Sequence, residues 1–423
     1  MLRLLSKITI TQQPNDVFTG RNTVYILTFL NEVEVNSTWQ NLTDTGKIIL
    51  PRKAYITDEH GNRVNWFGQT FYGNEVDATA TGVDSTVTSS PSLTGNRVAP
   101  IIQRGDKIQI ELGYNYPTQE QAENIETEIV FVGYISKINP RMPVELTLED
   151  RMWQLKQVKV PNKVYSNTTY TVQKMIREML DSDPRTRDIS LVTGGGLGER
   201  IETNIGDEFR TQDETIAGVL ERLKKDAHLN SFFRNIARPD GSFVSELRCS
   251  GIVYYPSDRR THTFSFQKNI ISDNLEYNKL EDLKLGAKCY SLNKEEVTNG
   301  TNKNGSKKIK HKRLETFVGE QEGEIRTLFF WDVHTEAKLK ELGERELRKF
   351  YYEGFTGKFT TFGIPFVKHG DSVILQDNVL PERNGEYLVK GVTRTFGQGG
   401  YRQEIELHLK LSVFSATQIN NGL

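Results

Sequence analysis

Arg104-Gly-Asp-Lys-Ile-Gln-Ile-Glu-Leu-Gly-Tyr114 reads as a tight Gly-Asp turn that opens a strand. Ile108, Ile110 and Leu112 fall on one face and Lys107, Gln109 and Glu111 on the other, the alternation of a strand buried on one side. A second strand is expected at Ile129-Val-Phe-Val-Gly-Tyr-Ile135 and a third at Val144-Glu-Leu-Thr-Leu148, before the polar Glu149-Asp-Arg-Met-Trp153. The same three parts return near the C-terminus. They are Gly370-Asp-Ser-Val-Ile-Leu375, Gly385-Glu-Tyr-Leu-Val-Lys-Gly-Val392 and Tyr401-Arg-Gln-Glu-Ile-Glu-Leu-His-Leu409. Two copies of one small β-barrel account for this order. The paired turn residues Gly105, Asp106, Gly370 and Asp371 are then structural residues that set the entry to each copy.

A chain of 423 residues exceeds one ordinary core and predicts several domains. We expect a mainly β fold with an α+β insert: a first β-barrel over 1–160, an α+β domain over 161–268, a second β-barrel over 269–412 and a tail over 413–423. In the first barrel, 58–96 turns to Gly, Ser, Thr and Asn and reads as a long polar loop, with Trp66 and Phe67 in an aromatic island suited to touching a partner. In the α+β segment, Thr171 caps a helix that places Val172, Met175, Ile176, Met179 and Leu180 on one face. Thr211-Gln-Asp-Glu214 has the pattern of a capping box before Ile216, Val219, Leu220 and Leu223. Arg238-Pro-Asp-Gly241 joins a hairpin, and Thr261 to Phe266 reads as the last strand of this segment. The second barrel is expected to be interrupted by a basic insert, 299–313, and to carry a helix over about 335–351 with Leu339, Leu342, Leu347 and Phe350 inward. Lys307, Lys308, Lys310, Lys312 and Arg313 in that insert are candidate partner contacts. As a nucleic-acid site the cluster is weak, with no interleaved aromatic before Phe317.

The 54 Lys and Arg nearly cancel the 55 Asp and Glu, which removes a whole-molecule charge argument for nucleic acid or anionic membrane. No stretch approaches the roughly 18 apolar residues of a membrane helix, and the first ten residues alternate like a strand rather than a signal peptide. No membrane insertion is expected. Cys249 and Cys289 lie in strand-like apolar sequence and read as buried free thiols. His60, His228, His262, His311, His334, His369 and His408 are scattered without metal-ligand spacing, so neither a metal nor a cofactor is expected. The run Gly194 to Gly198 lacks the Lys-Ser/Thr of a phosphate loop. Glu149-Asp150 beside Trp153 is the one carboxylate pair with a catalytic reading, and a helix start after the third strand is its plainer alternative.

The duplicated pattern, the α+β segment between its copies and the order of these signals resemble the baseplate hub family of contractile phage tails and related injection systems. That family takes in the T4-like hub, the late-control D protein and the N-terminal part of type VI spike proteins. The resemblance is carried by Arg104 to Tyr114 with Phe131-Val-Gly-Tyr-Ile135, Leu146-Thr-Leu-Glu-Asp150, the Arg238 to Gly241 turn leading through Phe264-Ser-Phe-Gln-Lys-Asn-Ile270, and Phe362-Gly-Ile-Pro-Phe-Val-Lys-His-Gly-Asp371 with Gly385 to Val392. It implies a non-enzymatic homotrimer in which the two barrels of each chain make a ring of six similar domains around a channel. Such a ring adapts a sixfold tail tube protein to a separate trimeric spike protein at the virion tail tip, after assembly in the bacterial host cytoplasm. Baseplate wedge or tape-measure proteins are further partners under this resemblance, and DNA or an effector passes through the lumen. A lumen-facing surface is then expected to avoid net basic charge, since each neutralised phosphate adds affinity. The chain stops soon after the last strand, at Leu423, so the needle-bearing parts of fused spikes are expected on another protein. Two readings from other classes remain: a glycan-active tail enzyme using Glu149-Asp150, and a receptor-binding or distal-tail adhesin using the polar loops.

Overall fold

The computed structural model describes residues 2–14, 20–51, 55–58, 63–65, 102–117, 123–139, 143–166, 169–193, 208–227, 229–237, 243–250, 259–278, 284–301, 307–331, 333–348, 354–380 and 384–411. Trp66, Phe67, most of the 58–96 loop, the Arg238 to Gly241 turn, Gly194 to Gly198 and Phe350 lie outside them.

The first copy is built from β1 (Arg3–Thr11), β2 (Val24–Leu27), β3 (Glu32–Thr38), β4 (Thr45–Leu50), β5 (Tyr55–Asp58), β6 (Arg63–Asn65), β7 (Lys107–Tyr116), β8 (Asn124–Asn139) and β9 (Val144–Glu149). Its central strands run in the order β3-β4-β9-β8-β7-β1, every neighbour antiparallel. The alternation read in β7 holds: Ile108, Ile110 and Leu112 are fully buried and pack with Ile8, Ile10, Val33, Val35, Leu146 and Leu148. Burial of such side chains contributes roughly 1.5–3 kcal/mol each, which holds the register of these strands.

An α+β segment follows, with α1 (Met152–Leu155), β10 (Lys163–Ser166), α2 (Val172–Asp181), β11 (Ser190–Thr193), β12 (Glu208–Thr211), α3 (Ile216–Ala227), β13 (Asn230–Ala237) and β14 (Phe243–Ser250). Thr171 caps α2 by accepting from the Lys174 N–H, and all five expected residues of that helix are buried. The cap of α3 is different from the one the sequence suggests. Thr215 accepts from the Gly218 N–H, whereas the Thr211 hydroxyl donates to the Pro161 carbonyl, because Thr211 belongs to the β10–β12 pair. β14 pairs parallel to β11 and antiparallel to β13, and α2 and α3 share one apolar core with this sheet.

The remaining elements are β15 (Thr261–Ser265), β16 (Ile270–Asn278), β17 (Leu285–Thr301), β18 (Lys307–Gly319), β19 (Glu324–Trp331), α4 (Glu336–Arg348), β20 (Gly354–Phe362), β21 (Ser372–Gln376), β22 (Gly385–Gly397) and β23 (Gly400–Lys410). The second copy runs β16-β20-β23-β22-β21-β15, the same order as the first when strands are matched along the chain. One pairing differs, since β15 is parallel to β21 while β1 is antiparallel to β7. β15 thus joins the second copy rather than the α+β segment with which its sequence was read. Its core holds Phe264, Phe359, Val373, Leu375, Tyr387, Val389, Val392 and Ile405.

Two further features depart from the sequence reading. The described parts of the basic stretch are strand. β17 and β18 form a long antiparallel pair that carries the pairing on through Leu292↔Arg313 and Lys294↔His311. With β19 this hairpin forms a separate three-stranded sheet, covered on one face by α4, with a core of Leu285, Ala287, Cys289, Val318, Leu339 and Leu347. The two copies are also joined edge to edge. Gly391 to Gly397 of β22 pair with Thr38 to Glu32 of β3, making one 15-stranded sheet. Cys249 and Cys289 are both buried and free. Among the described residues no helix is long and apolar enough to cross a membrane.

Candidate functional site: the two Gly-Asp turns and the cleft between units

The two Gly-Asp turns have the same geometry. In the first, the Gly105 N–H donates to the Ile135 carbonyl at 2.8 Å, and the Ile135 N–H donates back to the Asp106 carbonyl at 3.0 Å. In the second, Gly370 and Asp371 make the same reciprocal pair with Val389, at 2.9 and 2.8 Å. Both glycines sit at positive φ, +93° and +82°, where an L side chain is strained. Each aspartate closes its own turn: Asp106 Oδ2 accepts from the Gln103 N–H at 2.7 Å and Asp371 Oδ2 from the Lys368 N–H at 2.9 Å.

Each carboxylate is also held by an arginine that is remote in sequence. Arg21 binds Asp106 with both terminal nitrogens, at 2.9 and 2.7 Å, and the two side chains are almost wholly buried. Arg234 comes from β13 of the α+β segment. It donates to the His369 carbonyl at 2.7 Å and to Asp371 Oδ1 at 3.2 Å. The first turn is therefore closed from within its own copy, and the second is one place where the α+β segment is fastened to the sheet. Burial by itself would raise the Asp371 pKa. The neighbouring His262 and the Arg234 charge outweigh it and hold the carboxyl below its ordinary value. His262 Nε2 stands 3.6 Å from Asp371 Oδ2.

Beside the second turn lies a small cleft of about 70 Å³, lined by Ser37 and Asp44, by Ile129 to Val132 of β8, by Phe233, Arg234 and Asn235, and by Lys368, His369 and Arg394. All three units contribute to it. Asp44 accepts from the Ser37 hydroxyl and the Thr38 N–H, and His369 Nε2 lies 3.8 Å from its Oδ2. Serine, aspartate and histidine are present, but the serine is bonded to the carboxylate and not to the imidazole. The imidazole does not reach the serine hydroxyl, so the three side chains are not arranged as a Ser-His-Asp triad.

Glu149 and Asp150 do not converge. Glu149 pairs with Lys156 on the outside at 2.5 Å. Asp150 is buried and accepts from the Met152 N–H at 2.9 Å, opening α1, and from the Asp44 N–H at 3.2 Å. Burial, and then the Asp44 charge, raise its pKa well above the ordinary carboxylate value. The geometry is that of a helix start. Trp153 is taken up by stacking on Tyr134 at 5.3 Å and by covering Gly105. Among the described residues no group of three His, Cys, Asp or Glu side chains gathers to hold a metal.

No protein-family model matches the chain, and no curated protein matches it in sequence. Solved structures do match over nearly all of its length. The 43 kDa tail protein of prophage MuSo2 from Shewanella oneidensis aligns over 95% of this chain and 97% of its own, with a TM-score of 0.51 and 12% identity. The tail protein from Neisseria meningitidis MC58 aligns over 96% of both chains, again with a TM-score of 0.51 and 12% identity. The chain has the fold of phage tail proteins. In this tail-protein fold the Gly-Asp pairs were visible as a sequence repeat, but their partners were not. Arg21 lies 85 residues before Asp106, and Arg234 lies 137 residues before Asp371. Asp44 and His369 carried no local signal at all. Lys307, Lys308, Lys310, Lys312 and Arg313 are far along the chain from both turns, on β18 of the separate three-stranded sheet.

Proposed function

We propose that the chain is a structural baseplate hub of a phage tail or of a phage-derived contractile injection system. The supporting observation is the duplication: two runs of six strands with the same order, fused through β3 and β22, in a chain whose fold is similar to that of phage tail proteins over 95% or more of its length. Three such chains supply six similar units, which suits a ring that meets a sixfold tail tube on one side and a threefold spike on the other. The partners are then two further copies of the chain, a tail tube protein and a separate trimeric spike, with baseplate wedge or tape-measure proteins as neighbours. DNA or an effector crosses the lumen, and the site of action is the tail tip.

The enzymatic alternative has little to stand on, because Glu149 and Asp150 point into different surroundings and each already has a structural partner. Native mass spectrometry of the full chain tests the hub reading. A trimer is expected, alone or on addition of a tail tube protein and a trimeric spike protein. A chain that stays monomeric with both partners present contradicts the reading.

A further inference from the structure

Three fixed cations line the cleft beside the second turn, and one of them is not matched. Arg234 pairs with Asp371 at 3.2 Å and Lys368 with Glu128 at 2.9 Å. Arg394 lies on β22, opposite Val35 in the strand pair that joins the two copies, and is 3% exposed. One of its terminal nitrogens donates to the Val367 carbonyl, and its Nε has no partner among the described residues. Nor does any carboxylate among the described residues form an ion pair with it. His369, 4% exposed, lines the same cleft with its Nδ1 unpartnered.

A guanidinium taken out of water needs a counter-charge, because burying an ion costs far more than burying a neutral donor. Water can occupy a free N–H, but only an anion also balances the charge. The size of the cleft limits which anion. At about 70 Å³ it has room for a small inorganic ion and not for a nucleotide or a sugar. Asp44 limits the choice further. Its carboxylate lines the cleft with Arg394 and accepts from the Thr38 N–H and the Ser37 hydroxyl. Sulfate or chloride, with no proton to give, would meet this carboxylate as a like charge. A protonated oxyanion meets it as an acceptor, donating its own O–H to Asp44 while its other oxygens accept from Arg394 and from an N–H at His369 Nδ1.

We propose that the cleft is a binding site for a small protonated oxyanion of the hydrogen phosphate class, held by Arg394 and His369 and selected by Asp44. Ser37 and Asp44 come from the first copy, His369 and Arg394 from the second, and Arg234 and Asn235 from the α+β segment. A bound ion therefore ties the three units together at one point. The site goes beyond the hub reading and stands or falls without it.

Calorimetric titration of the full chain with inorganic phosphate, sulfate and chloride, at neutral pH and matched ionic strength, tests the site. Thermal melts in the same solutions accompany it. Phosphate is expected to bind at one site per chain and to raise the melting temperature. Sulfate is expected to bind at least about tenfold more weakly, because a site built to pair with an O–H rejects the analogue that lacks it. Arg394→Gln keeps an amide donor, loses the charge and is expected to weaken phosphate binding at least about tenfold. Asp44→Asn removes the like charge and is expected to erase the preference by tightening sulfate. Absence of both heat and melting shift with phosphate overturns the proposal. Equal affinities for phosphate and sulfate in the parent chain mark a merely cationic surface and overturn it as well. Selectivity that survives unchanged in Asp44→Asn places the bound ion elsewhere, and that arm decides the matter even where Arg394→Gln does not fold.

Discussion

Asp106 and Asp371 look interchangeable in the sequence, each following a glycine and opening a strand, and the structure separates them by what holds the carboxylate. Asp106 and Arg21 form a buried bidentate pair inside one copy. Removing one partner of such a pair leaves a charge without compensation, at a cost of about 3–5 kcal/mol. Asp106→Asn and Arg21→Ala are therefore each expected to lower the unfolding free energy by that order in chemical denaturation. The double variant should cost less than the sum of the two, since both remove one interaction. His408 gives a second prediction at this scale. It packs edge-on against Trp39 at 4.9 Å, and burial, helped by the Lys390 charge, lowers its pKa to about 4. The unfolded chain then binds a proton near pH 6.5 that the folded chain refuses until about 4. The contribution of His408 is whole above pH 6.5 and is lost as the pH falls through that window, amounting to up to about 3 kcal/mol. Denaturation midpoints of His408→Gln should accordingly change less between pH 7 and pH 4 than those of the parent.

At the scale of elements, the joint between the copies includes Tyr114 beside the β3–β22 strand pairing. Its hydroxyl donates to the Tyr401 carbonyl at 2.8 Å and accepts from the Gly363 N–H at 3.1 Å, within the core that Phe396 and Tyr401 share with the first copy. Tyr114→Phe leaves two buried backbone groups without this partner. It is expected to cost about 1–3 kcal/mol and to speed hydrogen exchange at the Gly363 amide more than at Ile110, which lies deep in β7. How legible the elements were follows from what fixes each one. β7 and α2 were readable because burial on one face imposes a period of two or of 3.6, and Thr171 caps α2 locally. The Thr211 box failed because a hydroxyl that fits a helix cap fits a carbonyl across a strand pair equally well, and the β10–β12 pair claimed it. The charge of the basic run suggests a solvated loop. Backbone pairing in a hairpin needs no apolar side chain, so β17 reaches Thr301 and β18 takes up again at Lys307. Placement of β15 was equally hidden, since a parallel partner more than a hundred residues away leaves no trace in a strand of five residues.

For the whole molecule the decisive contact is Arg234, the side chain by which the α+β segment grips the second Gly-Asp turn across the cleft. Arg21 and Arg234 neutralise equivalent aspartates, yet loss of each should be felt differently. Arg21 is closed within the first copy, so Arg21→Ala weakens the sheet without freeing any unit from another. Arg234→Ala leaves Asp371 with His262 beside it and removes the donor to the His369 carbonyl, so the damage falls on the seam between two cores that are otherwise distinct. When a seam weakens while the cores on either side stay packed, unfolding ceases to be one cooperative step. Differential scanning calorimetry of Arg234→Ala is therefore expected to show the α+β segment melting ahead of the sheet, where Arg21→Ala shows one transition moved to lower temperature. A single shifted transition in Arg234→Ala would mean that Phe232 against His369, with ring centroids 5.0 Å apart, and Lys224 donating to the Gln40 carbonyl hold the segment without the ion pair. Adding Phe232→Ala to Arg234→Ala distinguishes these cases, because it removes the aromatic contact from the same seam while leaving both Gly-Asp turns in place.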